Sequence, residues 1–443
     1  TWGESPTGAT AAFACPTHRR GGAFDTRRSM TVADVPVPES PVVDPPAGLG
    51  PADGGTPDPH GADWAGLTTA LNALGRELRQ EGVESDLDHL HKIERWGRLA
   101  TVVGWATAAV APNPLSIVAL STGRMARWAM VGHHVGHRGY DRVGGPKGKT
   151  FAEGWRRAVD WFDWLVPAAW KHEHNVLHHY RLNEARDPDL VEANLDWLRA
   201  SRAPVVLKTV MVFFFAMTWR WFYYAPNTLA ELHRADDKRD DVHRNSWTWN
   251  PMQPAGRDLW LKSILPYATV QFGLLPLLFA PLGAVAAFNA LVNSVLAEIL
   301  VNLHTFLIIV PNHAGGDLYR FEGAPKGKQE FYLRQILGSA NYRTGGDVND
   351  FAHGFLNYQI EHHLWPDLPM KAYQRAQPRV KALCAEHGVP YVQESVWKRL
   401  RRTVGVMVGT ESMRVWVPEA SGGDGGVGSV ARMAPSTDRT EWT

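Results

Sequence analysis

Cysteine is nearly absent: the 443 residues contain two, Cys15 and Cys384. That excludes a disulfide framework and any zinc or iron–sulfur site built from cysteine, and it fits a working face in a reducing, cytosolic environment. An excess of one charge is lacking too. The formal net charge is +1, and no block of Lys and Arg interleaved with aromatics runs along the chain, so nucleic acid is not an expected partner. No apolar segment follows the paired arginines of THRRGGAF, and no signal peptide is read there. Two metal signatures are also missing. HEHNV fails the H-E-x-x-H pattern of zinc proteases because Val176 stands where the second histidine belongs. Glu-x-x-His, which builds carboxylate-bridged di-iron bundles, occurs nowhere.

What the chain has in plenty is tryptophan and histidine, 19 of each. Amphipathic indoles favour membrane–water interfaces, and two regions of the chain are free of charge over long stretches. Leu99 to Gly123 carries none, with PNP at its centre as a turn. From Ser263 to Asn312 the only formal charge is Glu298, and about 50 residues suffice for two crossings at roughly 20 residues each. The second turn falls in Phe279 to Ala284. Both turns lack Lys and Arg, whereas RGYDRVGGPKGK and APKGKQ lie on the opposite side, which predicts outside turns and cytoplasmic histidines. The apolar stretch from Val205 to Pro226 carries Lys208 and Arg220. A crossing there would separate the histidine clusters, so an interfacial or re-entrant helix is expected.

These readings give an all-α polytopic membrane protein: two transmembrane helical hairpins under a cytosolic helical cap. The predicted organisation is a disordered Pro/Gly-rich arm over 1–60, with a translational start at Met30, and a cytosolic amphipathic helix over 61–98. The first hairpin follows over 99–132, then cap segments over 133–204, an interfacial or re-entrant helix over 205–226 and a cytosolic segment over 227–262. The second hairpin spans 263–312, the cap resumes over 313–409, and a disordered tail fills 410–443.

The histidines bunch. GHHVGH places His133 and His137 at i and i+4 on one helix face. HEHNVLHHYRLNEARDPD repeats the pair with His174 and His178, while His179 lies about 100 degrees round a helix and is aimed at a second metal. NYQIEHHLWPDLP adds Gln359, His362 and His363. Crowded neutral imidazoles gain little except by coordination, and so many exceed what one structural zinc needs. A histidine-rich two-iron site at a membrane surface suits oxygen activation.

The boxes HHVGH, HNVLHH and QIEHH, in this order around membrane hairpins, resemble the membrane fatty acid desaturase family over about residues 90 to 400. The resemblance implies two non-haem iron ions, dioxygen as co-substrate, and ligands at His133, His137, His174, His178, His179, His362 and His363, with His313 in VPNHAGGD as the eighth. It also implies dehydrogenation of a long acyl chain on a lipid or on coenzyme A. The glutamine that opens the third box marks a subfamily pattern, and Gln359 is a weak ligand candidate through its carbonyl. Some relatives carry a fused cytochrome domain with His-Pro-Gly-Gly; none occurs here, so no bound haem or flavin is expected and a separate ferredoxin or cytochrome with its reductase supplies electrons. A hydroxylase or ketolase on the same scaffold is the alternative outcome, and a non-catalytic metal-binding membrane protein is a more distant one.

Several neighbours are candidates for orienting the imidazoles: Asn183, Asp187, Asp189, Asn312, Asp317, Asn349, Asp350 and Glu361. His134 and His172 are secondary ligand candidates, whereas His304 and His353 are read as ordinary satisfied histidines. Glu298, a costly carboxylate in mid-span, is a functional suspect, with pairing to Asn302 one turn on, or protonation, as the competing expectation. Arg124 and Arg127 are read as snorkelling at the interface, with an anionic headgroup as the other possibility.

Overall fold

The computed structural model describes residues 58–82, 84–237 and 248–418. The predicted arm up to residue 57, with Cys15 and Met30, and the tail from 419 lie outside the described residues. Asp63 opens the first helix, Trp64–Gln80, by accepting from the Gly66 amide at 2.8 Å. Its Trp64, Leu67, Leu71, Leu74 and Leu78 recur at helical spacing and are buried. The helix ends ahead of Gly82, so the single amphipathic helix expected over 61–98 is two: the second, Glu84–Thr107, runs on into the first apolar arm.

Asn113 and Pro114 then start the return helix Pro114–Met125, with Asn113 accepting from the Ser116 amide. A Cβ on Gly104 would stand 2.6 Å from Leu120, and one on Gly123 would stand 2.1 Å from Thr101. These pairings fix an antiparallel hairpin whose backbones approach closely. Neither arm is uncharged over a full membrane thickness, since the helix Glu84–Thr107 is polar in its first half. Leu99 to Thr107 spans about 14 Å of a hydrocarbon layer roughly 30 Å thick.

Among the described residues two helices are long and apolar enough to cross, Pro254–Leu282 and Ala284–Asn312. They are separated at Gly283, whose φ of 109° a side chain would resist. The two hairpin turns meet. Asn293 donates to the Ala108 and Ala111 carbonyls at 2.8 Å each, and Asn289 donates to those of Ala109 and Val110.

The segment predicted to lie at the interface is a bent pair, Val205–Ala216 and Arg220–Ala235, with 77° between its arms. Lys208 and Arg220 turn inward. Lys208 donates to the Arg199 and Val408 carbonyls, and the fully buried Arg220 pairs with Asp163 and Glu298 beneath the Trp128 ring. Glu298 accepts from Asn302 as expected, but also from Arg124, Trp164 and Tyr267. Arg124 therefore faces this buried network rather than a headgroup.

Helices Lys328–Leu337, Gln359–Leu364, Met370–Glu386 and Val396–Val408 pack over the histidine-bearing ends. The tail expected to be loose from 410 is packed as far as Trp416. Arg414–Val415 pairs in parallel with Tyr319–Arg320, and Trp416 stacks on His60 at 4.2 Å. The reason is apolar burial of Met413 and Trp416, which the Gly-rich sequence beyond them masks.

Candidate metal centre

The first box leaves the return helix through a π-turn, Ala126–Gly132, and ends in the short helix His133–Gly136. The second box is itself a π-turn, Glu173–His178, closed by the His179 amide donating to the His174 carbonyl at 3.2 Å. Such widened turns recur at functional sites because they re-aim side chains. Here the box contributes to more than one group of ligands. His174 joins His133, His137 and His362, whereas His178 joins His313 and His363, with candidate ligand atoms within 4.8 Å of one another in each set. A third set, His174, His178 and Asp189, overlaps both. His179 stands between them, its ring 4.4 Å from His137 and 4.2 Å from His363.

All eight imidazoles are buried. Burial above all, and then the neighbouring imidazoles, push the pKa values of His133, His137, His174, His179, His362 and His363 well below the ordinary 6.5, keeping these rings neutral and able to donate lone pairs. His178 is the exception. Burial opposes its charge, but the Asp187 carboxylate outweighs that and raises its pKa.

Three rings are held by their Nδ1 atoms. His178 Nδ1 lies 3.0 Å from Asp187 Oδ1, His362 Nδ1 3.2 Å from the Tyr373 hydroxyl, and His363 Nδ1 2.9 Å from Gln335 Oε1. Each acceptor favours the tautomer with hydrogen on Nδ1 and leaves Nε2 for a ligand. Nitrogens of His137, His174, His179, His313 and His363 have no protein partner although buried. Buried polar atoms are rarely left so, and a convergent imidazole set with orphaned nitrogens fits a metal.

The remaining candidates lie elsewhere. His134 is buried with Nδ1 on the Met130 carbonyl, outside the sets, and His172 is half-buried at the end of Pro167–His172. Asn183 does not touch a ring; its amide donates to Asp187 Oδ2 and its side chain to the Tyr319 and Gly338 carbonyls. Asp350 gathers Gly345, Asn357, Tyr358 and Gln374, with Asn349 beside it. Glu361 accepts from Asn341 and Tyr391, and burial pushes its pKa up to about 7. Asp317 pairs with Arg399. Asn312 donates to Gln359 Oε1, while Gln359 Nε2 lies 2.8 Å from His313 Nε2. His304 and His353 contact backbone carbonyls of Ala352 and Asn349. Sequence reasoning missed Gln335 and Tyr373, which sit in ordinary amphipathic helices with no local signal.

Beside the imidazoles opens a cavity of about 400 Å³. His133, His174, His178 and His313 share its wall with Trp128 and Trp219.

This is a helical protein with membrane-length helices whose ends converge on a buried histidine centre next to an apolar cavity. The fatty acid desaturase family model matches residues 104–395, and the chain belongs to that family. It is an oxidoreductase that desaturates fatty acids. Over 362 residues it is 24% identical to the NADPH-dependent stearoyl-CoA 9-desaturase of Mycobacterium tuberculosis, covering 75% of this chain and 77% of that protein. It is 24% identical over 250 residues to an acyl-lipid (9-3)-desaturase of Physcomitrium patens, 51% of this chain and 41% of that one. A short stretch of 42 residues, 10% of each chain, is 57% identical to fatty acid desaturase 3 of Bos taurus.

Proposed function

We propose that the chain is a membrane-bound, dioxygen-dependent di-iron desaturase. His133, His137, His174 and His362 would hold one iron, His178, His313 and His363 the other, and His179 either. Iron there supplies the oxidant that removal of hydrogen from an unactivated methylene requires, made from dioxygen and two electrons. The observation that carries the reading is the division of the buried imidazoles into two adjacent sets beside an apolar cavity.

The protein's own part is positional. Asp187, Gln335 and Tyr373 fix ring orientation, and the apolar walls hold one C–C bond of an acyl chain beside the imidazoles while excluding water. The relatives' names speak of stearoyl-CoA and acyl-lipid substrates. A long acyl chain on such a carrier is the proposed substrate, and a separate ferredoxin or cytochrome the electron donor. The four arms of the two hairpins are proposed as the membrane part, with both turns outside and the histidines cytoplasmic. The meeting of the two turns through Asn289 and Asn293, away from the histidines, supports a common face.

Expression in a host of defined fatty acid content, with chain analysis by mass spectrometry, tests the activity. New double bonds that vanish in His362→Ala and His178→Ala are expected, with about two irons per purified chain. New hydroxy acids without double bonds, or active protein holding one zinc and no iron, would refute the reading.

A further inference from the structure

The first hairpin ends in a crevice that the histidine centre does not use. Gly97 of Glu84–Thr107 faces Ala126 at the end of the return arm, and a Cβ on Gly97 would stand 2.8 Å from that of Ala126. With so little side chain between the backbones, the larger residues around them enclose a cavity of about 40 Å³. That is room for about three waters, or for the oxygens of one phosphate group. Arg98, Arg127, Glu94 and Asp160 supply its charges.

These charges do not cancel within the fold. Asp160 is fully engaged: its two oxygens accept from Arg156 at 2.9 and 3.0 Å, and one also accepts from the Ala152 amide. Glu94 meets Arg98 at 3.6 Å, an ion pair too long for a hydrogen bond. Arg127 has neither a hydrogen bond nor an ion pair with any described residue. The charge that acts on it most strongly is Arg98, of the same sign. Arg124, one turn earlier, is by contrast held by Glu298, Gln271 and Ser294. A guanidinium presents its N–H donors in a planar fork that fits phosphate, and two of them on one crevice repel unless an anion lies between.

The rim indicates which anion. Just beyond Arg98, Leu99 and Val102 are 63% and 65% exposed; on the other side Val159 is 64% exposed and Trp155, one turn before it, 77%. Arginines beside uncovered aliphatic side chains and a tryptophan are the pattern of a membrane–water boundary. A free phosphate would leave the apolar rim bare, whereas a phospholipid covers it. Once Glu94 and Asp160 are set against Arg98 and Arg156, Arg127 is the cation left over, and a headgroup with a single negative charge balances it.

We propose that this crevice binds the phosphate of an anionic membrane phospholipid between Arg98 and Arg127, with the acyl chains lying along Leu99 and Val102. The crevice shares no lining residue with the cavity beside the imidazoles, so this lipid is a structural ligand and not a substrate. The proposal rests on the reading of the first hairpin as part of the membrane domain.

The test uses the full chain purified in detergent and mixed with phosphatidylglycerol, phosphatidylcholine or inorganic phosphate, with retained molecules counted by native mass spectrometry. Phosphatidylglycerol should be retained in preference to both, at one per chain. Arg127→Gln and Arg98→Gln should each weaken its binding about tenfold, the worth of a charge-assisted hydrogen bond. Arg142→Gln, which removes an exposed cation of the cap, should not. Without added lipid, Arg127→Gln should melt with the parent, because that side chain has no protein partner to lose. Unchanged phosphatidylglycerol binding in both crevice variants overturns the site. Equal retention of phosphatidylcholine overturns the anionic class, and displacement of the lipid by inorganic phosphate overturns the lipid source. If alkaline carbonate releases the chain from membranes, the membrane reading fails first and the site with it.

Discussion

Asp187→Asn is the sharpest test of how the chain holds its metal centre. The carboxylate is fully engaged: Oδ1 lies 3.0 Å from His178 Nδ1 and accepts from the Asp189 amide at 2.9 Å, while Oδ2 accepts from the Asn183 amide at 2.8 Å. An asparagine has one oxygen for these two sides. Whichever way it turns, its NH2 group faces an N–H donor, so one bond is lost and a repulsive contact replaces it. If the amide oxygen stays on His178, the ring keeps its tautomer but loses the charge that makes Nε2 a stronger donor. Loss of an outer partner of this kind lowers metal affinity by about 10- to 100-fold, or about 1.4 to 2.7 kcal/mol. The control is Asp350→Asn. Asp350 accepts from Tyr358, Asn357 and Gln374 but touches no imidazole, so it should lower the melting temperature by a similar amount and leave iron affinity unchanged. Iron affinity is measured by competition with a chelator, and stability by melting of the metal-free protein in detergent. Equal loss of affinity in both variants, or less than a twofold change in Asp187→Asn, would falsify the reasoning.

Two further outcomes concern stability. Glu298→Ala removes the carboxylate that joins Arg124 and Arg220 and leaves Asp163 alone against the fully buried Arg220. A broken buried pair costs about 3–5 kcal/mol, so unfolding in mild detergent should come many degrees earlier; an unchanged melt would show that the network contributes nothing. Asp317→Asn removes the charge that two contacts bring to buried Arg399, leaving it the Pro311 and Ala314 carbonyls and Glu394 at 3.8 Å, for a cost of about 1–3 kcal/mol. Burial raises the Asp317 pKa, but the Arg399 guanidinium outweighs it and holds the carboxyl below its ordinary value. A depressed carboxylate stabilises above its unfolded pKa of about 3.9 and loses that contribution as pH falls through the folded value. The gap between variant and parent melting temperatures should be constant from about pH 6 to 8 and close below pH 4; a gap that grew on acidification would contradict the assignment.

The box histidines were legible because few residue types ligate metals, and three clusters in one chain leave few other readings. The second hairpin was legible for a similar reason: 50 residues with one charge admit few alternatives. What stayed hidden depends on backbone irregularity and on distant chain segments. The i, i+4 rule assigned His174 and His178 to one face; they do share a set with Asp189, but beyond the π-turn at Glu173–His178 each also joins a different group of histidines. Gln335 and Tyr373 reach His363 and His362 from helices that look like ordinary amphipathic cap. Conversely, Asn183, Asp350 and Glu361 sit near the boxes in sequence, yet their hydrogen bonds brace loops. Asn183 has a φ of 56°, a conformation Asn tolerates better than most residues, and that explains its place in the turn. Proximity in sequence picked out Asp187, which does hold His178, but not Asp350 or Glu361, whose carboxylates are taken by other side chains.

Gln359 shows how the same competition shapes the third box. On the sequence its carbonyl was a candidate weak ligand, since it opens the box one helical turn before His362 and His363. In the structure that carbonyl accepts from Asn312 Nδ2 at 3.1 Å, and Asn312 itself is held by the Ile308 and Leu356 carbonyls. With its oxygen so engaged, the amide presents Nε2 to His313 Nε2 at 2.8 Å. An amide nitrogen is a donor and not a metal ligand. In this arrangement Gln359 meets the histidine centre at His313, with its amide nitrogen beside that ring. Asn312, next to His313 in sequence and between the last span and the third box in space, sets that orientation. The glutamine and the asparagine thus work as a unit, and the cavity wall, which Gln359 lines, gains a polar donor where a third-box histidine would bring another acceptor.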